Sequence, residues 1–277
     1  MKEGEVKAII EVALKEDMPQ GDITSESIIP PRSRSKAIIL AKEDGVLAGI
    51  DIARRVFQKL DPGVQFKKIL EDGKAFKKGK RLAGIEGLSI SILKGERTAL
   101  NFLQRMSGIA STTRKFVRAI HGTKTKILDT RKTTPGLRLL EKYAVRMGGG
   151  LNHRFSLSDM VLIKDNHLRL VSSISEAVKK AKKRVKPGVK IEVEATSLEE
   201  VKEAVQSGAD MVMLDNMATE KIKKAVKWVK GRVPLEVSGK VTLAKAKKAA
   251  SLGVDFISVG SLTHSYKSVD ISIEFLS

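Results

Sequence analysis

IEVEATSLEEVKEAVQSGADMVMLD, residues Ile191 to Asp215, holds one complete folding unit. The short apolar run Ile191-Glu192-Val193-Glu194 leads into Ser197-Leu198-Glu199-Glu200-Val201, where Ser197 is a good helix N-cap. A second run, Met211-Val212-Met213-Leu214, follows the helical segment. Strand, helix and strand in that order predict a parallel pair joined by a crossover. The unit recurs in both directions. Lys126-Ile127-Leu128-Asp129 and Met160-Val161-Leu162-Ile163 come before it, and Pro234-Leu235-Glu236-Val237 and Phe256-Ile257-Ser258-Val259 come after. So many units without an evident reversal point favour an α/β barrel over an open sheet.

The preceding chain reads differently. A first helix leads to a strand over Ser35 to Ala41, a helix near Asp51 to Leu60, and strands around Val64 to Leu70 and Gly87 to Leu93, with turns at Asp44-Gly45 and Glu71-Asp72-Gly73. Gly95-Glu96-Arg97-Thr98-Ala99-Leu100 then opens a helix leading toward the barrel. The fold class is α/β: a small N-terminal α+β domain over 1–107, then a barrel of parallel strands over 108–265.

Catalytic residues of such barrels sit at the carboxyl ends of the strands. Those positions here carry Arg131 and Lys132, Lys164, Glu194, Asp215, Ser238-Gly239 and Gly260. The cations are clustered where the local pattern changes, with His153-Arg154 on the connection between the first two barrel strands. A solvated helix spreads its charge along a face, whereas a site for a multiply charged anion needs cations that converge. Glu194 and Asp215 can bind Mg²⁺ with sugar hydroxyls or stabilise an electron-deficient sugar carbon; the alternative is an ordinary salt bridge to Lys164 or Arg131. The loops at Gly239 and Gly260 suit close approach of backbone amides to phosphate, or are simple tight turns. Gly148-Gly149-Gly150 reads as a helix stop, and His167 as a helix N-terminal packing residue; no HxH or HExxH spacing supports zinc.

Composition narrows the class. With 277 residues and 42% hydrophobic content the chain can bury a sizeable core, and no apolar run approaches membrane-spanning length. No cysteine is present, which excludes disulfides, thiolate metal sites and cysteine nucleophiles. The N-terminal stretch is amphipathic, contains acids and has no small-residue cleavage site, so a cytoplasmic enzyme is expected. The formal charge of +20 invites a nucleic-acid reading, but the lysine runs at 179–184 and 221–230 alternate with alanine and valine as solvated helix faces do. Two Tyr and one Trp also leave few stacking platforms for single strands. Neither a nucleic acid nor a membrane is expected as a partner.

The residues also carry a resemblance. Glu16-Asp17 with Gly21-Asp22-Ile23-Thr24, Glu96 to Asn101 through Ser107-Gly108, and nearly all of Asp129 to His167 resemble the quinolinate phosphoribosyltransferase family. So do Glu192-Val193-Glu194, Met213-Leu214-Asp215-Asn216, Ser238-Gly239 and Ser258 to Ser265; DTRKTTPG and LIKDNH are the most specific of these motifs. The likeness spans the chain. It implies an N-terminal α/β sandwich packed on an incomplete barrel, with residues 266–277 returning to the sandwich. It implies transfer of the phosphoribosyl group of phosphoribosyl pyrophosphate to quinolinate with decarboxylation, in NAD biosynthesis. It also implies a homodimer in which Arg97 is donated in trans, with assembly beyond the dimer left open.

By the same resemblance, Arg131, Lys132, His153, Arg154 and Lys164 hold quinolinate's carboxylates and the 5′-phosphate. Glu194 and Asp215 lie around the ribose hydroxyls and Mg²⁺, and Ser238, Gly239, Gly260 and His264 are phosphate-side contacts. Lys132, Glu194 and Asp215 are the expected catalytic residues, with Lys132 nearest the departing carboxylate. Two positions depart from the family pattern: Ser156 stands where glycine is common, and Lys240 where a small or polar residue is usual. Both bear on loop geometry. A nicotinate-specific relative, or a paralogue in molybdenum metabolism, would share the architecture; the surplus of cations favours the dicarboxylate over nicotinate.

Overall fold

The structure, a computed structural model, describes residues 3–276. Among them the strands are β1 (Arg34–Ala41), β2 (Gly45–Val46), β3 (Gln65–Lys68), β4 (Ala75–Phe76), β5 (Arg81–Leu88), β6 (Lys126–Leu128), β7 (Val161–Ile163), β8 (Ile191–Ala195), β9 (Met211–Asp215), β10 (Leu235–Ser238), β11 (Phe256–Ser258) and β12 (Ile271–Leu276). The chain forms two compact units. One holds the residues up to Arg114, Thr133–Gly149 and those from Ser265 on; the other holds Lys115–Lys132 and Gly150–His264.

In the first unit, four strands make an antiparallel sheet in the order β12-β1-β5-β3, with β2 and β4 paired separately. The central strand β1 buries Ala37, Ile38, Ile39 and Ala41 almost continuously, as a strand covered on both faces must. The C-terminal strand reaches this sheet past the helix Ser89–Ala119, where Val269 N–H donates to Gln104 O at 3.1 Å and Gln104 Nε2 to Ile271 O at 2.7 Å. Gly108 permits the crossing: a Cβ there would stand 2.3 Å from the Lys267 carbonyl oxygen.

Two expectations are corrected. The strand expected at Gly87 to Leu93 ends at Leu88, and a 31-residue helix starts at Ser89 rather than at Gly95. Gly95 lies inside that helix because a Cβ would meet Phe57 at 2.6 Å, so it is a packing residue and not a start signal. The stretch Thr133–Gly149, read from sequence as part of the barrel, groups with the first unit. Its anchor is the fully buried Glu141, which accepts from Arg105 Nε at 3.1 Å and from Thr134 N–H at 3.1 Å. Arg114 Nε adds a bond to Gly148 O at 2.8 Å, beside the stop after the helix Arg138–Met147.

The second unit is a six-stranded parallel sheet in the order β6-β11-β10-β9-β8-β7. The first strand of the series pairs with the last, as in a closing barrel, while β6 and β7 do not pair with each other. Leu151 makes a single parallel bridge to Leu128 instead. The result is an incomplete α/β barrel. Three of its crossover helices start at capped residues: Ser173, Ser197 and Thr242 each accept a main-chain N–H with the side chain. Among the described residues no helix is long and apolar enough to cross a membrane.

Candidate active site

The parallel register pairs Leu162 with Glu192, Glu194 with Met213, Ser238 with Asp215 and Ser258 with Leu128. Residues of one parity on each strand therefore share the inner face, since side chains alternate with a period of two. Leu162 and Lys164, Met213 and Asp215, Glu236 and Ser238, Ser258 and Gly260, together with Glu194, line one cavity of about 1030 Å³. Arg131, Lys132, His153, Arg154, Gly239 and His264 line it too. Every expected site residue except Arg97 is thus brought to the same cavity. Arg97 is exposed on the helix Ser89–Ala119, in the first unit.

At the strand ends, Lys164 Nζ lies 2.5 Å from Glu194 Oε2, with the glutamate side chain 13% exposed. The salt bridge weighed from sequence is therefore present. Asp215 Oδ2 accepts from the Asn216 side-chain amide at 2.6 Å, and Asn216 adopts a left-handed φ of 51°. Gly239 cannot be replaced without disturbing that pair: at φ 91° its Cβ would fall 2.1 Å from Asn216 Oδ1. Gly260 brings the chain close to the cations, since a Cβ there would meet Lys132 Cδ at 3.1 Å and His264 at 3.2 Å. Thr263 Oγ1 donates to Lys132 O at 2.7 Å and fixes the first cation-bearing loop against the last. His167 Nδ1 accepts the Lys164 N–H at 2.9 Å, the N-terminal role expected for it.

The connection carrying His153 and Arg154 is tied to β6. Buried Asp129 accepts from His153 N–H at 2.8 Å and from the Asn152 side chain at 2.6 Å. Burial and the nearby Arg131 charge both disfavour the charged form of Arg154, so two guanidinium groups converge where one alone would be easier to hold. Below them His153 Nε2 lies 3.0 Å from Glu192 Oε2 and 3.4 Å from Glu236 Oε2. Burial pushes the Glu192 carboxyl up to about 7, and the Glu236 charge adds to this against the opposing effect of His153. Burial lowers His153, whereas the hydrogen bond to Glu192 and the charge of the two glutamates raise it and prevail over burial. One contact opposes a second proton on the ring: Nδ1 accepts the Arg154 N–H at 2.8 Å, which needs its lone pair.

Glu192 and Glu236 were passed over in sequence, where each looks like the polar half of an alternating strand. The available signal was parity, because each stands two residues before a strand-end site residue, Glu194 and Ser238. The two departures have local explanations. Ser156 joins a turn around Asp159, its Oγ donating to Oδ1 at 2.8 Å, and Lys240 is exposed in a left-handed conformation at φ 43°.

Among the described residues, one cluster has three ligand-type side chains close enough to share an ion: His153, Glu192 and Glu236. Glu194 and Asp215 are a pair of hard oxygen donors at the cavity wall. That donor set suits Mg²⁺, which is commonly held by one or two carboxylates plus substrate phosphates.

Residues 22–107 match the quinolinate phosphoribosyl transferase N-terminal domain and residues 109–274 the C-terminal domain. The chain belongs to the quinolinate phosphoribosyl transferase family. Its relatives include the probable nicotinate-nucleotide pyrophosphorylase (carboxylating) of Bacillus subtilis (strain 168), 44% identical over 98% of this chain and 93% of that protein. The mitochondrial quinolinate phosphoribosyltransferase (decarboxylating) 2 of Nicotiana glauca is 39% identical over 98% of this chain and 82% of its own length. The crystal structure of NadC from Streptococcus pyogenes superposes with a TM-score of 0.96 at 41% identity, covering 100% of this chain and 99% of that one. The family's fold, an antiparallel N-terminal sheet and a parallel barrel, is the fold described above.

Proposed function

We propose that this chain transfers the phosphoribosyl group of phosphoribosyl pyrophosphate to quinolinate and releases the 2-carboxylate as CO₂. The products are nicotinate mononucleotide and pyrophosphate, and the pathway served is NAD biosynthesis. The observation that carries the reading is the meeting, in one cavity, of seven cationic or potentially cationic side chains with the wall carboxylates Glu194 and Asp215. A simple dianion pocket would have no use for Glu194 and Asp215. A sugar carbon that becomes electron-deficient does.

In this reading Arg131 and Arg154 clamp quinolinate's carboxylates and turn its ring nitrogen toward the anomeric carbon. Lys132 and Lys164 oppose the remaining charge of the two substrates. The main-chain turns at Gly239 and Gly260, with Ser238 and His264, receive the phosphate side. Attack by the nitrogen breaks the bond to pyrophosphate, and Glu194 and Asp215 stabilise the positive charge that grows on the sugar. The ring nitrogen is then cationic, so the electrons of the C2–carboxylate bond can be left on C2 as CO₂ departs, and C2 takes a proton from solvent to give nicotinate mononucleotide. Lys132 is the group assigned to that carboxylate. Glu194 and Asp215 would hold Mg²⁺ with substrate oxygens, and the ion would neutralise charge on the leaving pyrophosphate. The reading includes a cytoplasmic homodimer in which Arg97 is donated in trans.

Incubation with quinolinate, phosphoribosyl pyrophosphate and Mg²⁺ should release CO₂ and nicotinate mononucleotide in equal amounts. Turnover of nicotinate with no CO₂ from quinolinate would overturn the assignment. An Arg97→Ala chain mixed with a Lys132→Ala chain should regain activity if Arg97 acts across a dimer, and no regain would refute the trans arrangement.

A further inference from the structure

Two glutamates for which the chemistry above has no use lie beside His153, Glu236 in the cavity lining and Glu192 next to it. Glu192 and Glu236 are both fully buried, and Glu192 Oε1 and both carboxylate oxygens of Glu236 make no hydrogen bond. Burying carboxylates with so few donors is costly, and apolar residues of similar volume would serve the fold better. Their shared neighbour is His153. Its Nδ1 accepts the Arg154 main-chain N–H at 2.8 Å, so the ring proton sits on Nε2. That nitrogen points between the two carboxylates, 3.0 Å from Glu192 Oε2 and 3.4 Å from Glu236 Oε2. On the opposite side, Asp129 holds the main chain of the same residue. The Arg154 guanidinium leaves this anchored point and is steadied by a bond from Nη1 to Met160 O at 3.1 Å.

We propose that Glu192 and Glu236 are positioning residues for quinolinate recognition: they fix the His153 ring in its Nε2–H form and, through Nδ1, set the main chain from which Arg154 enters the cavity. The proposal rests on the function proposed above. It explains why acid is retained beneath a site for an acidic substrate. The cations that read the carboxylates repel one another, and a rigid, oppositely charged base keeps them converged before substrate arrives. The same three side chains could be read as a divalent-cation site, but a nitrogen that carries the proton offers no lone pair to a metal.

The test compares Glu192→Leu and Glu236→Leu with Glu192→Gln and Glu236→Gln in the full chain. Kinetics are measured for each substrate at saturation of the other, together with thermal unfolding. The Leu variants should raise the quinolinate KM at least tenfold and leave the KM for phosphoribosyl pyrophosphate within twofold, with Tm unchanged or higher. The Gln variants, which keep an acceptor, should lie closer to wild type. A parallel rise of both KM values with a fall in Tm would mean a structural role only and overturn the proposal. Unchanged quinolinate kinetics would do the same. Nitrogen-15 spectra of the wild-type imidazoles provide a readout that needs no variant, and a proton on His153 Nδ1 rather than Nε2 would refute it. Stoichiometric divalent metal in the substrate-free protein, lost in Glu236→Leu, would assign the cluster to an ion instead. A wild-type chain that releases no CO₂ from quinolinate removes both readings, whereas turnover in wild type with indifferent variants removes this one alone.

Discussion

Arg154→Ala tests the carboxylate clamp most directly. The guanidinium is half-buried, lines the cavity and keeps one bond to Met160 O, leaving donors for substrate. Loss of a charge-assisted, partly buried pair to a carboxylate costs about 2–4 kcal/mol. Two features of the site move the expectation to the lower half of that range. Arg154 is not fully desolvated, and its removal relieves Arg131 of a like charge, which lets the remaining arginine engage the dianion more freely. A loss of about 2–3 kcal/mol corresponds to roughly 30- to 150-fold in Kd. Calorimetric titration of quinolinate into protein without phosphoribosyl pyrophosphate reads this number directly. Thermal unfolding should show little destabilisation, because relief of the Arg131 repulsion offsets the lost attraction to the buried Glu192. Nicotinate, with one carboxylate, should lose less than quinolinate does. A quinolinate Kd within threefold of wild type would remove Arg154 from the clamp, whatever its effect on turnover.

Other perturbations address separate parts of the site. Gly239→Ala would force a methyl to within 2.1 Å of Asn216 Oδ1 at a φ of 91°, so it should cost about 1–3 kcal/mol of stability and raise the KM for phosphoribosyl pyrophosphate. Unaltered Tm and KM would show that the turn and Asn216 move freely. The Glu192 carboxyl is raised from 4.5 to about 7 in the fold, so the native state holds this proton more tightly than the unfolded chain. Its contribution is present below pH 4.5 and is lost as pH rises through 7; denaturant melts of wild type and Glu192→Gln should differ in slope across that window, the variant being flatter. Parallel curves would contradict the assignment. Chelation of divalent ions should abolish turnover while leaving quinolinate binding alone within twofold, and binding that falls together with activity would contradict a role for Mg²⁺ confined to the sugar donor.

Much of this architecture was legible because a barrel strand announces its end. At Lys164 and Asp215 an apolar run changes abruptly to a charged residue, and parallel strands bring all such changes to one mouth. Glu192 and Glu236 gave no such break. Alternation with valine is how a half-exposed strand looks, and only the register shows that the alternate face is the inside of a barrel. Gly95 misled for the opposite reason: glycine was read as punctuation, when its absent side chain makes room for Phe57 within a continuous helix. The placement of Thr133–Gly149 was hidden because its decisive partner, Arg105 against buried Glu141, is 36 residues away in sequence. Local pattern records where chain direction changes. It does not record which distant residue covers a buried charge.

The overall charge of +20 and the charge of the cavity have different physical consequences. Few of the 52 basic residues line the cavity, and many of the others stand on the helices Ile174–Arg184, Thr219–Val229 and Leu243–Ser251. At 0.15 M salt, charges farther apart than about 8 Å are largely screened in solvent, so these outer lysines can steer an anion toward the protein but contribute little once it is bound. The cavity cations act at contact distance, where screening is weak. Association of quinolinate should therefore slow as salt rises from about 0.02 to 0.15 M and change little beyond, with dissociation nearly constant throughout. Replacing Lys179, Lys182 and Lys183 together with Gln should reduce the low-salt association rate and leave Kd at 0.15 M within about twofold. Stopped-flow measurements at several salt concentrations separate the two rates. A large loss of affinity from the triple variant at physiological salt would mean that the outer field, rather than the converged cations at the strand ends, supplies the binding energy.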